Sequence, residues 1–506
     1  MLPMAFKSDP LSSCAAFSDP NNATIPMERD ASWFSAIRQL SNSGVIVFET
    51  GGNGGLYGSL DDACWNGGFF RRHDSKAIIV SARYIPDAEC PQHVDNPTPP
   101  TQFTGLDSAN YGWRVDANAW GTCVWTTGKA GSGGYQFPEW FQYGPVTDPR
   151  QFYTYAFIGT SASTPIVMSA AMSWQGWERA RPGNRTFSPR AIRYLINRFA
   201  ASVPSDRPIG KQPDIGAGFA WLMADDNNDG IINGDQLAID ESPIPHLANT
   251  SSRGLVQTGE GVMIGSFYFE GSQPKTVAIR GIGPSLIPYG INNALSNPTL
   301  QLLKLLPPPT GWVTVATNDD WTTAPNAAQI QSSGFAPSYS LESVILSGLS
   351  EGSYSVILSG ANNQTGTGLL EIYELDHFDQ PLLNTSMRGY VGSGNDVMIG
   401  GFVVQGSGAQ EFVITVNGPS LYPYGISNPL GNPSLTLVRS SNNSVVASND
   451  NWADGPNANK LSQSGNTPSQ PLEPALLISL DPGAYTAIVS GVGGATGVAV
   501  VNISPF

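Results

Sequence analysis

The second half of the chain is a tandem repeat, and this duplication limits the possible folds more than any other feature of the sequence. Each copy alternates short runs of β-forming residues with turns rich in Gly, Pro and Asn. This pattern predicts two all-β sandwich domains of antiparallel strands, over residues 246–376 and 380–506. The matching segments are LANTSSRG at 247–254 and LLNTSMRG at 382–389, GPSL with PYGI within 283–291 and 418–426, and NDDW at 318–321 with NDNW at 449–452.

The first half of the chain has a different periodicity. Residues 30–43 have the spacing of an amphipathic helix with Asp30 as its N-cap. The apolar run 44–49 is typical of a buried parallel strand, and it ends in a glycine-rich loop that contains Asn53. A further strand is predicted at 76–82 and a helix at 188–197. This order predicts an α/β parallel sheet with flanking helices, joined by surface loops over 83–110 and 126–150.

The segment Gly159–Pro165 (GTSASTP) lies between an apolar run and a predicted helix over 166–178. Thr160 and Ser161 are residue types that favour helix starts, and Pro165 suits a first helical turn. A serine at a helix start lies beside backbone N–H groups that favour a developing negative charge. Ser161 is therefore either a nucleophile or a helix cap, and its position alone favours the cap.

Gly-Thr-Ser-x-x-x-Pro followed by a helix of small residues resembles the nucleophile motif of subtilisin-like serine peptidases. The segment VFETGGNGG at 47–55 is similar to the element that carries the oxyanion asparagine of that family. The resemblance implies a subtilisin-like fold, with residues 1–222 as the C-terminal part of a catalytic domain. It also implies a serine endopeptidase that forms an acyl-enzyme through Ser161, with Asn53 in the oxyanion hole. The alternative for Asn53 is a residue of a glycine-rich turn in the left-handed conformation.

The family also needs an aspartate on an early strand and a histidine in a His-Gly-Thr-like helix start, both before the oxyanion asparagine. No histidine of this chain precedes Asn53, and none lies in such a motif; the four are His73, His93, His246 and His377. All four are expected at the surface. We therefore expect the triad Asp and His to be absent, so that the chain is inactive as written or is a fragment whose N-terminus is incomplete.

Two other interpretations remain open. In the first, the chain is a non-catalytic surface or adhesion protein that binds matrix, cell wall or glycan through its β-repeats. In the second, GTSASTP is close to the motif of sedolisins, whose base is a glutamate and whose oxyanion partner is an aspartate. Asn53, where sedolisins would have an aspartate, speaks against the second interpretation.

The acidic linker 223–245 contains DDNNDGIINGD, which resembles the calcium loop of EF-hands and dockerins. That resemblance implies a structural calcium ion, and Gly230 would provide the turn. Position twelve of the loop is Gln236, so the bidentate carboxylate of the motif is missing. The alternative is an acidic turn between domains. The implied ligands are Asp225, Asn227, Asp229, the carbonyl of Ile231 and Asn233.

Charge and composition limit the partners. The net charge of −15 argues against nucleic acid, and no apolar run is long enough to span a bilayer. The expected partner is a protein or peptide substrate, with cell-surface or glycan contact through the repeats. The four cysteines do not have metal-site spacing and favour two disulfides in a secreted or cell-surface protein, although the chain starts without a signal peptide. They are Cys14, Cys64, Cys90 and Cys123.

Overall fold

The computed structural model divides the chain into two compact units, residues 1–239 and 240–506. The four cysteines, His73, His93, Asn227 and most of the two predicted surface loops lie outside the described residues. The structure describes residues 6–7, 24–53, 59–60, 74–84, 109–112, 114–122, 124–127, 153–201, 208–226, 228–239, 241, 244–271, 273–378, 380–464 and 466–506.

A three-stranded parallel sheet lies at the centre of the first unit. Its strands β3 (Phe48–Thr50), β4 (Ile78–Arg83) and β5 (Ala117–Trp120) pair in that order. Strand β4 is buried along its whole length, as expected for the middle strand of a parallel sheet. The shorter strands of this unit are β1 (Phe6–Lys7), β2 (Thr24–Ile25), β6 (Val124–Thr127), β7 (Tyr153–Phe157), β8 (Ala200–Ala201) and β9 (Gln212–Pro213).

Helices accompany this sheet, so the coarse prediction of a parallel sheet with helices is confirmed. The α-helices in the described residues of the first unit are α1 (Ala31–Asn42), α2 (Thr160–Arg179), α3 (Pro189–Arg198), α4 (Ile215–Leu222) and α5 (Asn233–Ile239). Asp30 caps α1 through the backbone N–H groups of Ser32 and Trp33. The predicted apolar face of α1 is only partly buried, because Ile37 is buried whereas Trp33 and Leu40 are 38% and 44% exposed. Helix α5 lies within the predicted linker.

The described residues of the second unit form sixteen strands, eight from each repeat, in a largely antiparallel arrangement. Two helices, α6 (Ala327–Ser333) and α7 (Ala458–Ser464), hold the same place in the two repeats. Repeat 1 contains β10 (His246–Val256), β11 (Met263–Phe269), β12 (Lys275–Ile282), β13 (Pro298–Leu306), β14 (Gly311–Asn318), β15 (Ser343–Leu349), β16 (Gly352–Gly360) and β17 (Gly366–Glu374). Repeat 2 contains β18 (Leu382–Val391), β19 (Met398–Gln405), β20 (Gln410–Asn417), β21 (Pro433–Arg439), β22 (Ser444–Asn449), β23 (Ala475–Leu480), β24 (Gly483–Gly491) and β25 (Gly497–Pro505).

The two repeats are hydrogen-bonded to each other through their first two strands. Strand β10 pairs with β17 of its own repeat on one side and with β19 of the other repeat on the other side. Strand β18 pairs in the same way with β25 and β11. Thr250 lies opposite Phe402, and its repeat equivalent Thr385 lies opposite Phe267, so the junction is pseudo-symmetric. One hydrophobic core runs through both repeats, and the prediction of antiparallel β-structure is confirmed in this joined form.

In the part of the chain that the structure describes, no helix is both long enough and apolar enough to cross a membrane.

Candidate nucleophile site at the carboxyl edge of the parallel sheet

The N-terminus of α2 is held at the carboxyl ends of all three parallel strands. The backbone N–H of Thr160 donates to Asn53 Oδ1 at 3.2 Å, beyond the end of β3. Ser163 Oγ donates to the carbonyl of Ser81 in β4 at 2.7 Å. The N–H of Gly159 donates to the carbonyl of Gly121, just after β5, at 2.8 Å. The sheet therefore places Asn53 and the start of α2 side by side, at the edge where α/β proteins bind ligands.

Gly159 allows this close approach. Its backbone has φ 86° and ψ −172°, a region that residues with a side chain almost never occupy. A Cβ at this position would lie 3.0 Å from Asn53 Oδ1 and 3.3 Å from Nδ2. The local fold thus needs glycine for its conformation and for the room that the Asn53 amide takes up.

The Asn53 side chain has a defined orientation. Its Oδ1 accepts hydrogen bonds from the N–H of Thr160 and, at 3.3 Å, from Thr160 Oγ1. Because an N–H can donate only to the oxygen end of the amide, these bonds fix which end faces Thr160. The Nδ2 end is the donor of this amide, and it lies 3.3 Å from the position that a Cβ on Gly159 would take.

Ser161 differs from the other hydroxyl residues of the segment. Thr160, Ser163 and Thr164 are fully buried, and each hydroxyl donates to an oxygen of the fold. Ser161 is partly exposed, and within the described chain its hydroxyl has no hydrogen-bond partner. The N-cap position of α2 is Gly159, which has no side chain with which to cap the helix. Ser161 lies in the first turn and is not a helix cap.

Ser161 lies at a helix start as predicted, but α2 is longer at its N-terminus than the predicted helix over 166–178. The helix begins at Thr160, not near Ile166, so Pro165 lies inside the helix rather than in its first turn. Proline has no N–H to donate to the carbonyl four residues earlier, which here belongs to Ser161. The first N–H groups of the helix have no intrahelical acceptor, and the N–H of Ser161 belongs to this set.

Asn110 supports the Asn53 loop and was not identified from the sequence. It falls in a segment predicted to be a surface loop, yet it is fully buried. Its Nδ2 donates to the carbonyl of Gly51 at 2.7 Å, and its N–H donates to the carbonyl of Gly52 at 3.0 Å. Its carbonyl accepts from Ser81 Oγ at 2.6 Å. A lone asparagine in a polar stretch carries no sequence signal for this role.

None of the described residues of the first unit is a histidine, so a base of the kind that the subtilisin family uses is not found among them. His246 and His377 belong to the second unit. The expectation that His246 is a surface residue is wrong: it is 3% exposed, and its Nδ1 lies 2.8 Å from the carbonyl of Ile244. Its Nε2 lies 3.6 Å from Glu374 Oε1, which places it in a buried polar cluster of the β-unit.

A cluster of buried charges lies beside the residues that precede β4 and β5. Arg114 contacts Asp116 at 2.8 Å and Glu28 at 3.3 Å, and Ser75 Oγ donates to Glu28. Burial raises the pKa of Glu49 to about 8, and neighbouring Glu28 adds to the rise while Arg114 opposes it. Burial also raises the pKa of Glu28, again against the effect of Arg114. The cluster belongs to the support of the sheet, because it lies at the amino ends of β4 and β5.

The acidic loop before α5 is closed by its own hydrogen bonds. Asp225 accepts from the N–H of Asp229 at 3.2 Å and from the N–H of Gly230 at 3.0 Å. Gln236 Nε2 donates to Asp229 Oδ2 at 2.6 Å. Ile231, whose carbonyl is one of the expected ligands, is exposed, and its N–H donates to Asp229 Oδ1 at 2.8 Å.

The amide of Asn233 makes protein contacts at both ends. Its Nδ2 donates to the carbonyl of Trp221 at 3.0 Å, and its Oδ1 accepts from the N–H of Asp226 at 3.5 Å. Asn227 is outside the described residues, among which no group of three or more His, Cys, Asp or Glu side chains is arranged to hold a metal. The expected ligand set contains two carboxylates, Asp225 and Asp229, and both accept hydrogen bonds from the protein. Calcium binding therefore stays a prediction.

No known family model matches this chain, and no curated protein matches it.

Proposed function

We propose that this chain carries the nucleophile and the oxyanion donor of a secreted, subtilisin-like serine endopeptidase. In this proposal Ser161 attacks the carbonyl carbon of a peptide bond. The Asn53 amide stabilises the oxyanion of the tetrahedral intermediate, and the amine leaves to give an acyl-enzyme that water then hydrolyses. The substrate class is protein or peptide.

The observation that carries the proposal is the contrast between Ser161 and its neighbours. Three of the four hydroxyl residues between positions 160 and 164 are buried and hydrogen-bonded within the fold. Ser161 alone in this segment is partly exposed, without a partner among the described residues. Its place in the first turn of α2 adds the partial positive charge of a helix N-terminus, which favours an alkoxide or an oxyanion.

The arrangement of Asn53 gives independent support. An oxyanion donor has to be oriented before the reaction, because reorientation during the reaction would cost free energy. The amide of Asn53 is held by two hydrogen bonds from Thr160, immediately before the nucleophile. The N–H of Ser161 is a natural second donor. In subtilisin, loss of the oxyanion asparagine lowers the rate by a factor of about 10²–10³.

The described residues of the first unit include no histidine that could act as the general base of a triad. Without a base a serine hydroxyl is a weak nucleophile, so we expect this chain alone to react slowly. In subtilisin, loss of the triad histidine lowers kcat by a factor of about 10⁶. The test must therefore compare serines within one protein and not depend on turnover.

The experiment is covalent labelling with a fluorophosphonate, followed by peptide mapping. The purified chain is incubated with a high concentration of probe from pH 7 to pH 10, with and without added imidazole as an external base. We expect phosphonylation at Ser161, faster at higher pH and with imidazole. We expect Asn53→Ala to lower the labelling rate by about 10²-fold, because the oxyanion-like P–O group loses its donor.

The matched controls are Ser169 and Ser173 in the same helix. Both are exposed, and their hydroxyls donate to carbonyls of α2. We expect neither to be labelled, and Ser161→Ala to abolish the labelled peptide. Labelling of Ser161 no faster than that of Ser169 under every condition would overturn the proposal.

A further inference from the structure

Two adjoining cavities form a groove on the outer face of the β-unit, where the repeats meet. Their volumes are about 870 Å³ and 620 Å³. Arg253, Tyr289, Ile291 and Ile399 line both cavities, so they lie at the junction. The groove is continuous past this junction, which suits an extended ligand with several units better than a single small molecule.

Arg253 differs from the other cationic side chains of this unit in having no partner among the described residues. Residues 240–506 contain only seven Lys and Arg side chains. Six of them have a hydrogen-bonding or charged partner, but Arg253 has none among the described residues. The partners are Glu374 for Lys275, Glu371 for Arg280, Ser350 for Lys304, the Glu260 carbonyl for Arg388, the Pro482 carbonyl for Arg439 and Glu411 for Lys460.

An unpaired guanidinium in a groove favours an anionic ligand group, because it presents several N–H donors in a planar fork that matches a carboxylate. Arg280 lines the same groove beside Glu371, with its Nε 3.3 Å from Glu371 Oε2. Asp396 lines the second cavity, so the two arginines of the groove are matched in number by the carboxylates of Glu371 and Asp396. Arg280 is paired with Glu371, whereas Arg253 forms no ion pair within the described residues and is the group that a ligand carboxylate would meet.

Tyr289 places an exposed aromatic side chain at the junction. The residue is 84% exposed. The loop that carries it is fixed by the buried carboxylate of Glu342, whose Oε1 accepts from the N–H groups of Gly283 and Ser285 at 2.8 Å each. Glu342 Oε2 accepts from Ser285 Oγ at 2.6 Å. The backbone of Tyr289 belongs to the hydrogen-bonded turn 284–289, so only the side-chain torsions are ordered when a flat, partly apolar ligand stacks on the ring.

The floor of the groove offers side-chain hydroxyls and no free edge of β10 to which a peptide strand could add. A peptide that adds to a sheet needs unpaired backbone groups, but β10 is paired on both sides, with β17 and β19. The floor and rim instead offer side-chain hydroxyls. Those of Ser251 and Ser338 have no partner among the described residues, and a second tyrosine, Tyr339, is 44% exposed at the rim.

From these observations we infer that the groove binds an acidic oligosaccharide. A sugar ring stacks on Tyr289, a uronic-acid carboxylate pairs with Arg253, and hydroxyls bond to Ser251 and Ser338. This inference does not depend on Ser161 or on peptidase activity. It assigns the β-unit a ligand class of its own.

The test is isothermal titration calorimetry of the full chain with defined hexamers. The acidic probes are α-1,4-linked hexagalacturonate and an alginate hexamer. The neutral probe is the fully methyl-esterified galacturonate hexamer, and hexaglutamate is the acidic peptide. We expect at least one acidic hexamer to bind roughly tenfold or more tightly than the neutral ester, with an affinity that falls at high salt because the ion pair is screened.

The repeat supplies matched control variants. Arg253→Gln and Tyr289→Ala are each expected to weaken binding of the acidic hexamer roughly tenfold or more. Arg388→Gln and Tyr424→Ala change the equivalent residues of the second repeat, which do not line the groove, and are expected to leave binding unchanged. Tyr424 is 82% exposed, so its substitution also controls for nonspecific binding of the sugar to an exposed aromatic side chain. Three results would overturn the inference: no binding of either acidic sugar at millimolar concentration, equal binding by hexaglutamate, or wild-type affinity in both groove variants.

Discussion

Replacing Gly159 by alanine is the perturbation whose cost follows most directly from the geometry. A residue with a side chain in this backbone region is strained by about 1–3 kcal/mol. The new Cβ would lie 3.0 Å from Asn53 Oδ1 and 3.3 Å from Nδ2, so the amide has to move. Movement weakens the Thr160–Asn53 hydrogen bond, which contributes about 1 kcal/mol. We therefore expect Gly159→Ala to lower the free energy of unfolding by about 2–4 kcal/mol.

Helix α2 contains a matched control for this substitution. Gly176 lies in the same helix, and nothing lies within 4 Å of a Cβ built on it. Gly176→Ala is expected to stabilise the helix by about 0.5–1 kcal/mol, because alanine favours the helical state. The opposite signs separate the special conformation of Gly159 from a general effect of adding a methyl group.

The assay is hydrogen–deuterium exchange of the peptide that covers 160–179, followed as a function of urea. This readout isolates the first unit, since a chain of two units need not unfold in one transition. The expected result is faster exchange in Gly159→Ala and slower exchange in Gly176→Ala. A Gly159→Ala variant within about 0.5 kcal/mol of wild type would refute the argument that this glycine is required by its conformation and by the Asn53 contact.

Three further predictions concern the surroundings of the two sites. Glu49 has a folded-state pKa of about 8 against an ordinary value of 4.5, so the folded state holds its proton more tightly. The stability of the first unit should therefore fall as pH rises from about 5 to 8, by on the order of a few kcal/mol, and Glu49→Gln should flatten this profile in urea unfolding. Glu342→Ala leaves two backbone N–H groups without their acceptor. It should therefore destabilise the β-unit by about 2–5 kcal/mol in thermal unfolding. A loss of stability under about 1 kcal/mol would contradict the role given to the Glu342 carboxylate. Ser163→Ala should lower the free energy of unfolding by about 1 kcal/mol, because the buried Ser163 hydroxyl donates to β4. The exposed control Ser169→Ala should change it by less than about 0.5 kcal/mol. Equal effects of the two substitutions in a urea titration would contradict the contact between α2 and β4 through Ser163.

Features set by local chemistry could be predicted from the sequence. Asp30 caps the helix expected after it, because the cap depends on an oxygen and N–H groups two or three residues away. The helix expected over 188–197 is also present, with Ser188 as its N-cap rather than its first residue. Strand β4 follows from its apolar run. The juxtaposition of Asn53 with the start of α2 was expected only through the family resemblance, since 107 residues separate Asn53 from Thr160.

Features that depend on distant partners could not be predicted. Glu342 and its repeat equivalent Glu473 each accept two backbone N–H groups from the turn before the PYGI segment, yet a glutamate before a strand has no distinctive sequence signal. Asn318 of the NDDW segment is similar. Its Oδ1 accepts from the N–H of Val344 at 2.7 Å, and the segment itself does not indicate this distant partner. The pairing of β10 with β19 could not be predicted either, because a repeat pattern does not specify which copy supplies the neighbouring strand.

The most direct test of the central claim is a crystal structure of this chain with a peptide boronic acid. The boron should form a covalent bond with Ser161 Oγ and become tetrahedral, which reproduces the charge of the intermediate. One boronate oxygen should lie about 2.7–3.1 Å from Asn53 Nδ2. A boronate bound elsewhere, or bound at Ser161 with no oxygen within hydrogen-bond distance of Asn53, would contradict the account.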